Sequence, residues 1–289
     1  MIGTRQFGSL HMGWEHVLFA NWTVDPTVVE PHLPERLTVD TYEGDAYLSV
    51  VPFRNVDVRP TWLPDGVGLP LPELNLRTYV RLEDDTSLPD NVSTPDDGSL
   101  PDNVSTPDDT SMPDNASTPD DGPTPDEAGA PWMEPEAGVY FFSLDADGIL
   151  GVSGARLFHS LPYYLADIDL RERNGEVRFE SRRRHPGARA ASFAADYGPT
   201  GGSFTAESGS LASFLTDRAR YFTEAPDGEL RYATVSHERW PLYEASVEIH
   251  RNDMFAANGF ERPETEPRHL YSPRVTTTAS DSRPVSELS

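Results

Sequence analysis

The sequence predicts a mainly β protein with a few helices, an α+β chain built as a single closed or strongly curved antiparallel β-barrel. Three observations carry that expectation. Outside one low-complexity stretch, the chain divides into short segments rich in aromatic and β-branched residues with period-two alternation. Two of the joints between them, Glu43-Gly44-Asp45 and Asn174-Gly175, carry hairpin-turn chemistry. Only two segments have the pattern of a helix, and many strands with few helices fit a barrel or curved sheet.

In chain order, Asp25-Pro26 supplies an N-cap and a first-turn proline for a short helix through about His32. Leu37–Tyr42 and Ala46–Val58 flank the Glu43–Asp45 turn and are expected to form a hairpin. In Leu74–Arg81, Leu74, Leu76, Thr78 and Val80 share one face, and Asn75, Arg77, Tyr79 and Arg81 the other. Gly138–Leu144 is its expected partner across the low-complexity stretch. Tyr164–Arg173 and Glu176–Arg182 flank Asn174-Gly175, and Ala190–Tyr197, Leu230–His237 and Glu244–His250 also read as strands. Ser210 caps the second helix, in which Leu211, Phe214, Leu215, Ala219 and Phe222 recur at helical spacing.

The low-complexity stretch is an internal repeat of twelve residues: SLPDNVSTPDDG from Ser87, SLPDNVSTPDDT from Ser99 and SMPDNASTPDDG from Ser111. Each copy has one aliphatic or Met position near its start and two prolines, too little apolar surface to offset chain entropy or to stack as a solenoid. The expected domain plan is one barrel-like domain from residues 1–82 and 135–275, a disordered acidic insert at 83–134 in a hairpin loop, and a disordered tail at 276–289. A long insertion at a loop tip costs little closure entropy. The sequons at Asn91, Asn103 and Asn115 read as coincidental in an intracellular protein, and the aspartate spacing lacks the EF-hand order.

Composition narrows the function. The 289 residues contain 48 Asp+Glu against 23 basic residues, every one of them arginine, for a net charge of −25. Such a charge disfavours nucleic acid and anionic membrane surfaces as partners, because both need clustered cations. The run Arg182-Arg183-Arg184, with Arg178 and Arg189, reads as a solvated strand end balancing local acids. Acid excess with no lysine fits a cytoplasm of very high salt, where the Debye length falls to about 3 Å at molar ionic strength. The absence of cysteine excludes disulfides and thiolate chemistry. With no basic leader and no apolar run approaching 18 residues, the expected location is the cytoplasm.

Familiar catalytic signatures are missing. Gly151-Val152-Ser153-Gly154 has its second glycine one position early for a nucleophile elbow, and Gly66-Val67-Gly68 lacks the third glycine of a dinucleotide loop. The eight histidines form no HExxH or i, i+4 pair, so no metal and no cofactor is expected. The informative segment is Gly154–Asp167, GARLFHSLPYYLAD. Pro162 sets a bend, and the two tyrosines after it point to opposite faces of a strand, so one of them at most faces the interior. Arg156 and His159 precede them.

Several blocks then resemble the DUF2071 (YqjF-like) family: DAYLSVVPF at Asp45–Phe53, PELNLRTYVR at Pro72–Arg81, VYFFSLDA at Val139–Ala146, LPYYLAD at Leu161–Asp167, GSLASFLTDR at Gly209–Arg218 and HERWPL at His237–Leu242. That family is similar in fold to acetoacetate decarboxylase, which implies a β-barrel-like domain around an internal cavity. Where the decarboxylase carries adjacent lysines, the first of which forms the Schiff base, this chain has Tyr163 and Tyr164. A phenol forms no imine, so lysine Schiff-base chemistry is excluded. The resemblance also places Glu73 near an active-site glutamate, as a ligand-binding or general-base carboxylate or as a structural partner of Arg77 or Arg156.

Three functions follow as expectations. The first is a binding module for a small carboxylate ligand, lined by Asn75, Arg77, Arg156, Tyr163 and Tyr164 with Glu73. The second is an enzyme on a keto- or hydroxy-acid-like substrate, with Glu73 or His159 as acid/base and Tyr163 as donor. The third is a structural or partner-binding protein whose cavity is filled by aromatic side chains. Oligomeric state is open.

Overall fold

A computed structural model describes residues 9–83, 136–148 and 160–288. It contains thirteen strands: β1 (Leu10–Val24), β2 (Leu37–Val39), β3 (Ala46–Pro60), β4 (Leu69–Leu82), β5 (Ala137–Ala146), β6 (Tyr163–Arg173), β7 (Glu176–Arg183), β8 (Ser192–Phe204), β9 (Arg220–Glu224), β10 (Leu230–His237), β11 (Leu242–Asn252), β12 (Arg268–Ala279) and β13 (Arg283–Pro284). They form one mainly antiparallel sheet. Pairings lead from β5 through β6, β7, β8, β11, β12, β1, β3 and β4 and return to β5, while β10 bridges β9 and β12.

This topology gives the central strands two buried faces. In β4, Leu74 and Leu76 enter a dry core with Leu18, Leu48, Phe179 and Phe193, while Glu73, Asn75 and Arg77 line a cavity on the other side. In β1, Leu18, Ala20 and Trp22 face the core, and Val17 and Phe19 pack against the cavity wall. A strand covered on both faces reads as a continuous apolar run rather than as strict alternation. That is why β1 is not evident from period-two patterning.

Several expectations are met. Asp25 caps α1 (Pro26–Val29), its carboxylate accepting the Thr27 amide at 2.9 Å, and a 3-10 turn continues to His32. The β6–β7 hairpin turns at Asn174 and Gly175 with φ of 57° and 85°, the left-handed pair a type I′ turn requires. β4 and β5 pair from Arg81 with Ala137 onward, so their ends meet where the repeat lies, and the repeat itself falls outside the described residues. Because these ends adjoin, replacing residues 84–134 with a short turn is expected to change the melting temperature by no more than about 3 °C. A calorimetric drop well beyond that would make the insert part of the fold.

Others are corrected. The second helix, α2, stops at Thr216, having begun at Leu211. Ala219 and Phe222 share helical spacing with it, but 220–224 form β9, hydrogen-bonded to both β5 and β10, and a two-sided ladder outweighs periodicity in so short a run. The Glu43–Gly44 turn forms, yet the strand before it, β2, pairs with β4 instead of β3. The tail at 276–289 is ordered through residue 288: β12 reaches Ala279, β13 pairs with β10, and Val285 is buried against Leu37, Val80, Phe222 and Tyr232. The arginine run is not uniformly solvated either. Arg184 is exposed and pairs with Asp167, whereas Arg183 is buried, ion-paired with Asp145 at 2.7 Å and lying over the Tyr164 ring. A further short helix, α3 (Met254–Ala257), closes the dry core with Met254 and Phe255.

A candidate ligand cavity

The cavity beside β4 has a volume of about 920 Å³, near the upper end of the roughly 300–1,000 Å³ typical of small-molecule sites. Its walls are mostly apolar: Trp14, Phe19 and Phe53 from β1 and β3, Phe141 from β5, and Trp240. Trp14 and Trp240 stack with centroids 5.7 Å apart. Space of this size is left between the described side chains.

β4 supplies the polar groups, because alternate residues of one strand share a face. Glu73 is buried, and its Oε2 accepts a hydrogen bond from the Tyr163 hydroxyl at 2.8 Å and another from Asn55 Nδ2 at 3.2 Å. Burial raises the Glu73 carboxyl to about 7, against the hydrogen-bonding groups of Tyr163, Asn75 and Asn55, which favour the ionised form. The same burial, with Glu73 beside it, holds the Tyr163 phenol well above its ordinary value. Tyr163 therefore stays protonated and donating, and Glu73 is poised to exchange a proton near neutral pH.

Arg77 lies two positions beyond Asn75 on the same strand face. Its Nη2 donates to the Leu215 carbonyl oxygen at 3.1 Å, and its guanidinium lies 5.5 Å from the centroid of Phe19 and 5.6 Å from that of Tyr79. No described carboxylate pairs with it, and its buried Nε has no hydrogen-bond partner. Neighbouring Arg218, which also lines the cavity, is by contrast neutralised by Asp40 at 2.6 Å. Two acceptors near Glu73, Asn55 Oδ1 and Asn75 Oδ1, are likewise buried without partners.

The structure thus brings together four of the residues singled out in the sequence: Glu73, Asn75, Arg77 and Tyr163. It separates Tyr164 from them. Tyr164 takes the opposite face of β6, edge-on to His185 and under Arg183, so it is not a cavity residue. Glu73 is not the partner of Arg77 either, since its hydrogen bonds go to Tyr163 and Asn55. Arg156 and His159 lie outside the described residues. Sequence reasoning missed Trp14, Asn55, His237 and Trp240, which reach the cavity from β1, β3, the end of β10 and the turn after it. Among the described residues no group of three or more His, Asp or Glu side chains is arranged to hold a metal ion. No helix among them is long and apolar enough to cross a membrane.

The fold is of the kind seen in acetoacetate decarboxylase-like structures. Its architecture is similar to that of the enduracididine biosynthesis enzyme MppR complexed with pyruvate, with a TM-score of 0.55 and 13% identity over 98% of this chain and 91% of that one. It is also similar to acetoacetate decarboxylase from Legionella pneumophila, with a TM-score of 0.51 and 11% identity over 100% of this chain and 94% of that one. At such identities the likeness is one of fold alone. The chain belongs to the DUF2071 family, described as an uncharacterized conserved protein, whose profile matches residues 11–88 and 131–276. Within that assignment, it is 33% identical over 260 residues to the uncharacterized protein YqjF of Bacillus subtilis (strain 168), covering 90% of this chain and 85% of that protein.

Proposed function

We propose that the protein binds a small carboxylate in its internal cavity, with Arg77 as the anchor. The observation carrying this reading is a cavity-lining guanidinium with no described carboxylate partner and an unsatisfied buried Nε. A buried polar group left unpaired is costly, and a bidentate carboxylate would satisfy it. Asn55 Oδ1 and Asn75 Oδ1 offer acceptors for the remaining polar groups of the ligand. Pyruvate, found with the structural neighbour MppR, is itself a small carboxylate, which supports the same chemical class here. The returning sequence of strand pairings supports treating the sheet as a closed barrel around the site, and the lysine-free acidic composition supports a salt-rich cytoplasm as its setting.

A thermal-shift panel tests the reading. At equal, high ionic strength, a set of small carboxylic acids and their primary amides is added to the purified protein. A ligand at about 100 times its Kd adds about 2.7 kcal/mol of stability. At least one acid is expected to raise the melting temperature while its amide does not. If no acid does, or if amides do equally well, the carboxylate reading falls.

A second reading is favoured by one observation, the Glu73 carboxyl at about 7 against the Tyr163 hydroxyl. In it the protein is an enzyme acting on a keto- or hydroxy-acid-like substrate, Glu73 moving a proton and Tyr163 donating a hydrogen bond to the group that gains charge.

A further inference from the structure

Arg77 offers only donors, and the cavity wall also carries a group of opposite character. His237 is buried at the end of β10 and lines the same cavity, with its ring centroid 5.0 Å from Trp240 and 6.5 Å from Trp14. Its Nδ1 lies 2.6 Å from the Glu238 carbonyl oxygen. A carbonyl oxygen only accepts, so Nδ1 carries the proton and Nε2 of the neutral ring is left with a bare lone pair. No described residue donates to that lone pair. Burial, with the Arg77 charge adding to it, holds the imidazole down to about 4, so the ring is neutral through the physiological range. The cavity therefore presents a cation with donors at Arg77 and a pure acceptor at His237.

We propose that His237 makes the cavity selective for acids bearing an O–H group next to the carboxylate, the 2-hydroxy acids, over the matching 2-oxo acids. The inference rests on the carboxylate reading above. Arg77 holds the carboxylate and the 2-hydroxyl donates to His237 Nε2. A 2-oxo group has no proton to give, and it sets its own lone pairs against that of Nε2. The aromatic side chains of Trp14, Phe53 and Trp240 give the apolar body of the acid a surface to pack on. His237 acts here as a specificity residue, and no proton transfer is assigned to it.

Mandelate and benzoylformate share one carbon skeleton and differ only at C2, so titration calorimetry with both decides the matter. The better mandelate enantiomer is expected to bind the wild-type protein at least about 10-fold more tightly than benzoylformate, the worth of one buried hydrogen bond. O-Methylmandelate, which has no donor, should fall to the benzoylformate level. In His237→Phe, which keeps an aromatic ring beside the stacked indoles, the two acids should bind within about 2-fold of each other. A purely structural role for His237 would weaken both acids together. The wild-type ratios need no variant, so they decide even if His237→Phe fails to fold. Equal binding, a preference for benzoylformate, tight binding of O-methylmandelate or a preference that survives His237→Phe would each overturn the proposal and leave the carboxylate reading standing. If the wild-type protein binds neither acid and no other carboxylate shifts its melting temperature, both fall together.

Discussion

Replacing Arg77 with methionine is expected to weaken carboxylate binding by roughly 10- to 150-fold, the range of a charge-assisted hydrogen-bonded contact of about 1.5–3 kcal/mol. Methionine keeps most of the length and apolar bulk of the side chain while removing the charge. Stability should change by only about 1 kcal/mol, because the substitution costs one hydrogen bond to the Leu215 carbonyl and two aromatic contacts but also removes an unsatisfied buried Nε. Calorimetric titration of the same carboxylate into both proteins reads the affinity, and chemical denaturation reads the stability. Unchanged affinity would show that the guanidinium is a packing element and that the ligand, if any, sits elsewhere.

The second large effect concerns Glu73. Its carboxyl titrates near 7 when folded, against an ordinary value of 4.5, so the folded state prefers the protonated form. The sign follows from that preference. A raised pKa contributes stability fully below about pH 4.5, and the contribution is lost as pH rises through about 7. Glu73→Gln is neutral at every pH and does not lose it. The variant is therefore expected to gain on the wild type by about 2 kcal/mol between pH 5 and pH 8, measured by urea denaturation of both proteins at each pH. A difference that stays flat with pH would mean that Glu73 is ionised normally in the fold. The same variant separates the two functional readings. If the protein is an acid/base enzyme, Glu73→Gln abolishes turnover of an acid that still binds, whereas a binding module keeps its affinity and has no turnover to lose.

These two residues show how much of the site was legible beforehand. The alternation in Leu74–Arg81 already puts Asn75 and Arg77 on one face of a strand, and β4 has that geometry. The rule that adjacent strand residues point to opposite sides limits the interior to one of Tyr163 and Tyr164, and Tyr163 is the one inside. The partner of Glu73 was not legible. Tyr163 lies ninety positions away in the chain, and its contact with Glu73 exists only because β6 runs parallel beside β5 while β5 pairs with β4. His237 and Trp240 escaped notice for the same reason, since nothing in their local spacing distinguishes a cavity wall from an ordinary core.

Local periodicity failed where pairing overrode it. The apolar positions at Ala219 and Phe222 suit a helix as well as a strand, and the free edges of β5 and β10 decided for the strand. The C-terminal residues from 276 carry few apolar side chains, yet one of them, Val285, and two ladder pairs to β10 place them.

By itself, the sequence determined the β-rich class, the turn at Asn174-Gly175, the cap at Asp25, the interruption between β4 and β5, and the exclusion of lysine chemistry. All of these depend on residue type or on neighbours a few positions apart. The tertiary structure alone decided which strands meet, which face of β4 lines a cavity, that Arg77 has no described acid partner and that Glu73 is held near neutral pH. Those properties depend on burial and on contacts across long stretches of chain, which residue spacing does not encode.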